Sequence, residues 1–345
     1  MTVRAAFADQ ARSCRALGSE LTARVVERLG DALQPAQGAV ARRVLDWPGD
    51  ASPRGDSVPL RLAGALHALV LSQADAELAA AYQAGDPGAP LLLAAIQRHQ
   101  AHVMHWLDSP PQTNEVGRSA ALIGAARFLA GLSPLPLDLL ELGASAGLNL
   151  NFHRYLLAPD RGLAPDPRIF GPGDVVLAPV WQGDLPATAF TVGAGEGVDL
   201  RPVDARRDAD RLLAYCWPDQ RERMARLRAA LGLARDLPPR VVAGDAADFL
   251  EDRLACRKPG HVRMVYHTVA WQYFPPAVQA RCEAAIQRAG ALASADAPLA
   301  HVSMEADGGN GAALRLRFWD GQARAWSLGR ADFHGRWIAW DPIPA

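Results

Sequence analysis

The sequence predicts an α/β fold, in which an all-α N-terminal domain precedes a doubly wound, mostly parallel sheet with antiparallel strands at its C-terminal end. Two patterns predict this fold. Up to residue 132 apolar side chains recur every three or four positions, and beyond it short apolar runs ending in glycine or an acid alternate with helical stretches. At about 150 residues per domain, a chain of 345 residues suggests two domains. We expect a helical cap or substrate domain over 1–132 and the sheet domain over 133–345.

The helical pattern of the first domain consists of an apolar stripe and three further segments. The stripe contains Phe7, Ala11, Cys14, Leu17, Leu21 and Val25. Further helices are predicted over 60–83 and 91–107, and a last one begins near an Asn114 cap and ends at Gly131.

Short apolar runs predict the strands of the second domain, whose alternation with helices is typical of a Rossmann-like sheet. The runs cover 137–143, 197–200, 241–244, 262–267 and 299–305. A segment rich in proline and glycine, at about 158–190, is interpreted as a surface insertion with one hairpin. Runs at 314–319, 323–328 and 336–340, with an Asp320-Gly321 turn after the first, predict the antiparallel strands.

Composition and charge exclude several classes of protein. The 36 basic residues balance 37 acidic ones, and a net charge of −1 leaves no basic footprint for nucleic acid. No uninterrupted apolar run reaches the roughly 18 residues of a membrane span, and no secretory signal is predicted. The four cysteines are scattered without a C-x-x-C pair, as is typical of reduced thiols. We expect a cytoplasmic protein that binds a small-molecule substrate, and neither nucleic acid nor a membrane.

The most informative motif is LLELGASAGLNL, at 139–150. An apolar strand ends at Glu141, a turn contains Gly143, Ser145 and Gly147, and an amphipathic helix is predicted to follow. Glycines allow a sharp turn and a close approach of a ligand to the backbone. In an open α/β sheet such a ligand lies beyond the carboxyl ends of the strands.

The same turn also fits G-x-S-x-G, the nucleophile elbow of α/β-hydrolases. Ser145 would then be the nucleophile, and the acid and base that follow it would be drawn from Asp245, His267, His301 and His334. A hydrolase elbow follows several strands, one of whose loops supplies part of the oxyanion hole. This turn follows the first predicted strand, so a serine hydrolase is the less favoured alternative.

Two further acids follow the next two predicted strands. Asp199 lies in EGVDLRP, at the end of the second strand, and Asp245 lies in VVAGDAADF, at the end of the third. One carboxylate can accept both hydroxyls of a ribose, and the other can accept an adenine amino group. Together with the turn after the first strand, these acids predict an adenosine pocket.

This combination resembles the class I S-adenosylmethionine-dependent methyltransferase superfamily, from about residue 134 to the C-terminus. The resemblance implies S-adenosylmethionine as the cofactor. It implies a cofactor site with Gly143, Ser145 and Gly147 under the methionine end, Glu141 near its amino group, Asp199 on the ribose and Asp245 at the adenine. The chain departs from the superfamily pattern at Ser145, which replaces a glycine. It also departs in the interval from Gly147 to Asp199, a step of 52 positions that we attribute to the insertion.

Over most of its length the chain is also similar to a bacterial family, domain of unknown function 2332. The segments that carry this similarity are PPQTNEVGRSAAL at 110–122, ELGASAGLNLNF at 141–152, GVDLRP at 197–202, CWPDQRERMARLRAAL at 216–231, HTVAWQYFP at 267–275 and FHGRWIAW at 333–340. This resemblance implies a fold and no particular reaction.

The end of the fourth predicted strand supplies the catalytic candidates. Histidine side chains in general titrate near neutral pH, so the residue at this strand end, His267, is a candidate base for an acceptor that must lose a proton. Tyr273 is the second catalytic candidate, and Trp271 is expected to bind the substrate through its ring. Ordinary packing of the residues after a capped strand is the alternative. Glu305, at the end of the fifth strand, is compatible with the same crevice or with the surface.

The polar segment QTNEVGR, at 112–118, predicts further substrate contacts. Asn114, Glu115 and Arg118 are the candidates, with Arg118 pairing a carboxylate of the methionine or of an acidic substrate. A simple helix cap at Asn114 is the alternative. No metal is predicted, because the histidines at 99, 102 and 105 have no cysteine or clear carboxylate partner.

The sequence therefore predicts an S-adenosylmethionine-dependent methyltransferase that acts on a small molecule. A non-catalytic, nucleoside-binding relative of the same fold is the alternative from another class. The residues do not determine the methyl acceptor, the pathway or the oligomeric state.

Overall fold

A computed structural model describes residues 1–53, 55–159 and 174–345. The helices are α1 (Val3–Ala16), α2 (Glu20–Ala32), α3 (Ala39–Leu45), α4 (Val58–Leu71), α5 (Ala76–Gln83), α6 (Ala89–Arg98), α7 (Gln100–Leu107), α8 (Ser119–Leu132), α9 (Ala209–Tyr215), α10 (Arg221–Asp236), α11 (Ala246–Arg253) and α12 (Pro276–Ala291). The strands are β1 (Leu137–Leu142), β2 (Leu156–Leu157), β3 (Val176–Leu177), β4 (Val180–Gln182), β5 (Val192–Asp199), β6 (Val241–Ala243), β7 (Val262–Thr268), β8 (Leu299–Ala306), β9 (Ala312–Trp319), β10 (Ala323–Ala331) and β11 (Trp337–Pro344).

The described residues form two compact units. The first contains Met1–Thr113 and Asp208–Ala225, and the second contains Asn114–Arg207 and Arg226–Ala345. The first unit is helical, and the second contains the sheet. The chain is therefore of mixed α/β class with a helical N-terminal region, as the sequence predicted.

Helices of the first unit are shorter than predicted, because polar residues interrupt the apolar pattern. The helix predicted over 60–83 is divided into α4 and α5 at Asp75, whose carboxylate accepts a hydrogen bond from the Leu78 N–H (3.0 Å) and so begins a new helix. The helix predicted over 91–107 is divided into α6 and α7 at His99, whose backbone is not helical.

The segment 208–225 packs within the first unit, although it follows the first strands of the sheet in the chain. Its residue Trp217 lies in the core of that unit. The His67 imidazole Nδ1 is 3.0 Å from the Ala214 carbonyl oxygen. A Cβ at Gly64 would lie 2.4 Å from the Tyr215 ring, so only glycine allows this packing.

The second unit is built on a nine-stranded sheet among the described residues. The strand order is β4-β11-β10-β9-β8-β7-β1-β5-β6. Pairing is parallel from β6 through β5, β1 and β7 to β8, and it is antiparallel from β8 through β9 and β10 to β11. The sequence prediction of a mostly parallel sheet with antiparallel C-terminal strands is thus confirmed.

The strand order has a switch point at β1. The chain passes from β1 to β5 and β6 on one side, and then returns to β7 and β8 on the other side. Helices that follow strands on the two sides leave a crevice at the carboxyl end of such a strand, and ligands of open α/β sheets bind there.

Strand β1 is buried along its whole length, with its side chains alternating between two covered faces. Leu140 and Leu142 pack in a cluster that includes Ala247 and Ile286 of α11 and α12. On the other face, the ring of Tyr266 from β7 lies 6.2 Å from that of Phe152. This double coverage explains the apolar run that predicted the strand.

The predicted insertion contains no hairpin in its described part. Strand β3 pairs in parallel with β2, and β4 pairs in parallel with β11 at the end of the large sheet. Residues 160–173 of this segment lie outside the described residues. The hairpin predicted from the Asp320-Gly321 turn is present, since β9 and β10 pair on either side of it.

Candidate functional site

The turn after β1 has a backbone of left-handed residues. The φ angles of Gly143, Ser145 and Gly147 are +67°, +53° and +69°. Glycine adopts such angles without strain, whereas a serine does so at a cost. Ser145 therefore occupies a glycine-favouring position of the predicted motif and retains a side chain there.

Both glycines of the turn are required by contacts within the protein. A Cβ at Gly143 would lie 2.6 Å from the Ala270 Cβ, and a Cβ at Gly147 would lie 2.6 Å from the Val241 Cγ2. The amphipathic helix predicted after the turn is a short 3₁₀ helix, Leu148–Arg154, whose first five residues are all buried. Its first N–H, that of Leu148, donates to the Asn114 side chain (2.8 Å), which fixes the exit of the turn.

Asp199 ties the end of β5 to this turn. Its Oδ2 accepts a hydrogen bond from the Ser145 N–H (2.9 Å), and its Oδ1 accepts one from the Arg201 N–H (2.8 Å). The side chain is half-buried. Because a carboxylate has about four lone-pair sites, each oxygen can still accept a further donor.

Asp245, at the end of β6, begins α11. Its Oδ1 accepts hydrogen bonds from the N–H groups of Ala247 (2.8 Å) and Asp248 (3.3 Å), which makes it an N-cap. Neither bond uses Oδ2. The neighbouring strand β5 holds this region, because the Gly244 N–H donates to the Asp199 carbonyl oxygen (3.0 Å).

Glu141 is buried beneath the turn, with only 2% of its surface exposed. The Tyr266 hydroxyl lies 3.4 Å from its Oε2. Burial raises the pKa of Glu141 to about 8, and the negative charge of Asp199 raises it further. Burial therefore favours the protonated form of Glu141 near neutral pH, and the charge of Asp199 acts in the same direction.

The segment before α8 contacts the ends of two strands. Asn114 holds the turn after β1 through its bond with the Leu148 N–H. Arg118 donates from Nη1 to the Thr268 carbonyl oxygen at the end of β7 (2.8 Å) and from Nε to the Phe333 carbonyl oxygen (2.9 Å). Glu115 is buried and accepts from the Gly117 N–H (2.9 Å), so it is Glu115 and not Asn114 that caps the short helix here.

His267 is buried at the end of β7, and both of its ring nitrogens have partners. Nδ1 lies 2.7 Å from Glu305 Oε1, and Nε2 lies 3.0 Å from His301 Nε2. The indole of Trp271 stacks on the imidazole with 4.8 Å between ring centroids. Tyr273, in the short helix that follows, is 63% exposed.

The structure reveals site features that the sequence did not indicate. Val269, directly after β7, has a φ angle of +53°, a strained conformation for a β-branched residue. Two buried side-chain oxygens, Ser145 Oγ and Glu305 Oε2, have no hydrogen-bond partner among the described residues. Strain and unpaired polar atoms of this kind cluster at functional sites. Neither can be read from residue types, because both depend on the local backbone and on neighbours from other strands.

The residues of the hydrolase alternative do not form a triad in this structure. Ser145 Oγ has no partner among the described residues, and its backbone N–H is bonded to Asp199. The two nitrogens of His267 contact Glu305 and His301 instead.

In the described part of the chain, no group of three or more His, Cys, Asp or Glu side chains has the arrangement of a metal site. No helix there is long and apolar enough to cross a membrane.

These observations define an α/β protein whose candidate site residues lie where β5, β1, β7 and β8 end. There the structure groups Glu141, Ser145 and Asp199 near the turn, and His267 with Glu305 beside it. A family model described as an uncharacterized protein conserved in bacteria (DUF2332) matches residues 4–340. The chain belongs to this family. Neither a curated protein nor a solved structure matches it.

Proposed function

We propose that this protein binds S-adenosylmethionine and transfers its methyl group to a small molecule. The observation that carries the proposal is the bond from Ser145 N–H to Asp199. It joins a left-handed turn after the central strand to an acid after the neighbouring strand, at the switch point of the sheet. This is where open α/β sheets bind nucleoside cofactors.

The residues fit such a cofactor in the chemistry of their donors and acceptors. Asp199 is half-buried and retains acceptor capacity on both oxygens, which suits a pair of ribose hydroxyls. Asp245 Oδ2 takes neither of the N-cap bonds, which suits an adenine amino group. The Ser145 hydroxyl, buried and without a partner among the described residues, suits a polar group of the methionine part.

Each residue then has a distinct role in the proposal. Asp199 and Asp245 would hold the nucleoside, and the turn over 143–147 would support the methionine part. Glu141 would act from beneath the turn as a neutral hydrogen-bonding group, since burial raises its pKa to about 8. Arg118 would fix the rim, because it holds the carbonyl groups of Thr268 and Phe333.

The cofactor supplies an electrophilic methyl group on a sulfonium. In the proposed transfer, a lone pair of the acceptor would form the new bond to the methyl carbon as the carbon–sulfur bond breaks, and the electron pair of the broken bond would stay on sulfur. Most of the acceleration in such a displacement comes from holding the acceptor in line with the methyl carbon. A base is needed only where the acceptor carries a proton that must leave.

One observation favours the non-catalytic alternative, a nucleoside-binding protein without turnover. The predicted base His267 has both nitrogens engaged, with Glu305 and with His301. A base in that position is not available to a substrate. The proposed transfer therefore requires another proton acceptor, or an acceptor substrate that needs none.

The proposal is tested by isothermal titration calorimetry with S-adenosylmethionine and S-adenosylhomocysteine. We expect both to bind, and we expect Asp245→Asn to weaken binding about tenfold, the effect of losing about 1.4 kcal/mol. Asparagine is a good N-cap, so this variant keeps α11 intact. Asp248→Asn is the matched control, since it removes an exposed carboxylate from the same turn of the helix. The absence of binding by either compound at millimolar concentration would contradict the proposal.

A further inference from the structure

A row of polar side chains crosses β7, β8 and β9 at the sheet interior. Glu305 Oε1 lies 2.7 Å from His267 Nδ1, His267 Nε2 lies 3.0 Å from His301 Nε2, and His301 Nδ1 lies 2.8 Å from Arg317 Nη2. Arg317 Nη2 also donates to Glu283 Oε2 (2.8 Å), which lies on α12. Both imidazoles are buried, with 3% and 7% of their surfaces exposed.

The arginine determines where every proton in this row lies. A guanidinium only donates hydrogen bonds, so the His301 nitrogen facing Arg317 must be an acceptor. His301 then carries its single proton on Nε2 and donates it to His267 Nε2. His267 therefore carries its proton on Nδ1 and donates it to Glu305. The row has one direction of donation, from Arg317 to Glu305, and both imidazoles are neutral.

This arrangement prevents His267 from accepting a proton. A proton on His267 Nε2 would face the N–H of His301. His301 cannot turn its proton to the other nitrogen, because Arg317 donates there from two atoms, Nη2 at 2.8 Å and Nε at 3.3 Å. Burial and the neighbouring charges lower the pKa of His301 well below its ordinary value, in agreement with a neutral ring.

Glu305 is left as the acceptor at this end of the row. Its Oε1 accepts from His267 and from the N–H groups of Ala270 (2.9 Å) and Trp271 (3.1 Å), as expected of an ionised carboxylate. Its Oε2 is buried and has no hydrogen-bond partner among the described residues. A buried carboxylate oxygen without a donor is unfavourable, so a ligand that brings an N–H or O–H group to it gains affinity.

We propose that Glu305, and not His267, is the proton acceptor of this site, and that the substrate is a small molecule that presents an N–H or O–H group to Glu305 Oε2. His267 and His301 are positioning residues that keep the carboxylate oriented. The proposal rests on the proposed methyl transfer for its reaction. As the acceptor nitrogen or oxygen forms its bond to the methyl carbon, its proton passes to Glu305 Oε2, which becomes a neutral carboxylic acid.

The proton assignment is tested without any substrate, by ¹⁵N NMR of the full chain labelled at histidine. We expect His267 to be the Nδ1–H tautomer and His301 the Nε2–H tautomer at pH 7. An imidazolium at position 267 at pH 7, or its Nε2–H tautomer, would overturn the proposal. This result does not depend on cofactor binding, so it is distinguishable from a failure of the proposed function.

A pair of arginine variants tests whether Arg317 fixes the tautomers of His267 and His301. Arg317→Gln removes the obligatory donor, so His301 is free to change tautomer, and we expect its Nδ1–H tautomer to become populated. Arg315→Gln is the matched control, because Arg315 lies two residues earlier on β9 with 60% of its side chain exposed, and it pairs with Asp307. Equal behaviour of the two variants would contradict the role of Arg317.

Turnover tests the role of Glu305. The full chain is incubated with S-adenosylmethionine and a panel of small amines and alcohols, and S-adenosylhomocysteine is measured by mass spectrometry. We expect Glu305→Gln to lower its formation at least about 100-fold and His267→Asn to lower it less than about tenfold, because asparagine keeps an N–H donor near Nδ1. An equal loss in His267→Asn would identify His267 as the base and overturn the proposal. Absence of turnover in the unsubstituted protein would contradict both the methyl transfer and the proton transfer.

Discussion

Single buried acids set the electrostatics of this site. Glu141 lies beneath the turn after β1 and contacts the Tyr266 hydroxyl, itself within 3.3 Å of the Asn149 carbonyl oxygen. Burial raises the pKa of Glu141 to about 8, so the folded protein holds a proton that the unfolded chain releases above about pH 4.5. The stability that this proton contributes is complete below pH 4.5 and is lost as the pH rises through 8.

We expect Glu141→Gln to remove this pH dependence. Glutamine stays neutral and can still accept from Tyr266, so the free energy of unfolding of the variant should exceed that of the unsubstituted protein by an amount that grows between pH 5 and pH 8. The difference amounts to about 1.4 kcal/mol for each pH unit over which the unfolded chain alone is ionised. Urea unfolding at several pH values measures it.

The control is Asp307→Asn, because the pKa of Asp307 is lowered in the folded protein whereas that of Glu141 is raised. Hydrogen bonds from Arg330 and from the Gly309 N–H lower the pKa of Asp307, so its contribution is fully present above its unfolded pKa of about 3.8. This substitution should change the free energy of unfolding by the same amount at pH 6 and at pH 8. A pH-independent effect of Glu141→Gln would show that Glu141 is ionised in the folded protein.

At the scale of elements, the candidate site is positioned by the turns that follow the strands. The turn after β1 packs against two other segments, since a Cβ at Gly143 would meet Ala270 and one at Gly147 would meet Val241 and Pro239. These glycines therefore allow the turn after β1 to pack against the start of β6 and the residues that follow β7. Gly143 and Gly147 therefore account both for the resemblance of this turn to a cofactor motif and for its close packing against neighbouring segments.

We expect Gly147→Ala to destabilise the protein by about 2 kcal/mol or more. A left-handed alanine alone costs about 1–2 kcal/mol, and the new Cβ would lie 2.6 Å from Val241 and 2.9 Å from Pro239. Gly244→Ala is the matched control, because Gly244 has no positive φ and the nearest atom to its Cβ is 3.8 Å away. Urea unfolding of the two variants gives the comparison, and equal stability would contradict the strained turn.

At the scale of the whole molecule, the helical unit is completed by a segment distant in the chain. Residues 208–225 belong to it, and the Asp219 carboxylate accepts hydrogen bonds from the Ser19 hydroxyl and from the Leu21 N–H (2.9 Å) at the start of α2. Ser19 caps α2, so the distant acid reinforces a local helix start.

We expect Asp219→Ala to lower the stability of this helix start by about 1 kcal/mol. Hydrogen exchange measured by mass spectrometry on peptides covering 17–25 should show faster exchange. Asp210→Ala is the control, because Asp210 is an exposed acid of α9 in the same segment. Unchanged exchange in Asp219→Ala would show that the start of α2 does not depend on the distant segment.

The periodicity of the sequence predicted the fold class because strands buried on both faces read as apolar runs and helices read as stripes. It placed β1, β7, β8 and the β9–β10 hairpin close to their observed positions. It was wrong about the helix after Gly147, where a side chain from a distant segment, Asn114, takes the first N–H of a 3₁₀ helix. It also joined α4 to α5, since an apolar stripe does not reveal a cap such as Asp75.

By itself, the sequence determined the alternation of helices and strands, the acids that follow the strands, and the turn that contains Gly143, Ser145 and Gly147. These features depend on neighbours along the chain. Only the tertiary structure decided which atoms of those residues have partners. The raised pKa of Glu141, the strain at Ser145 and the direction of donation from Arg317 to Glu305 arise from contacts between segments far apart in the chain. Burial and hydrogen bonding, which set proton positions, are properties of those contacts and not of residue order.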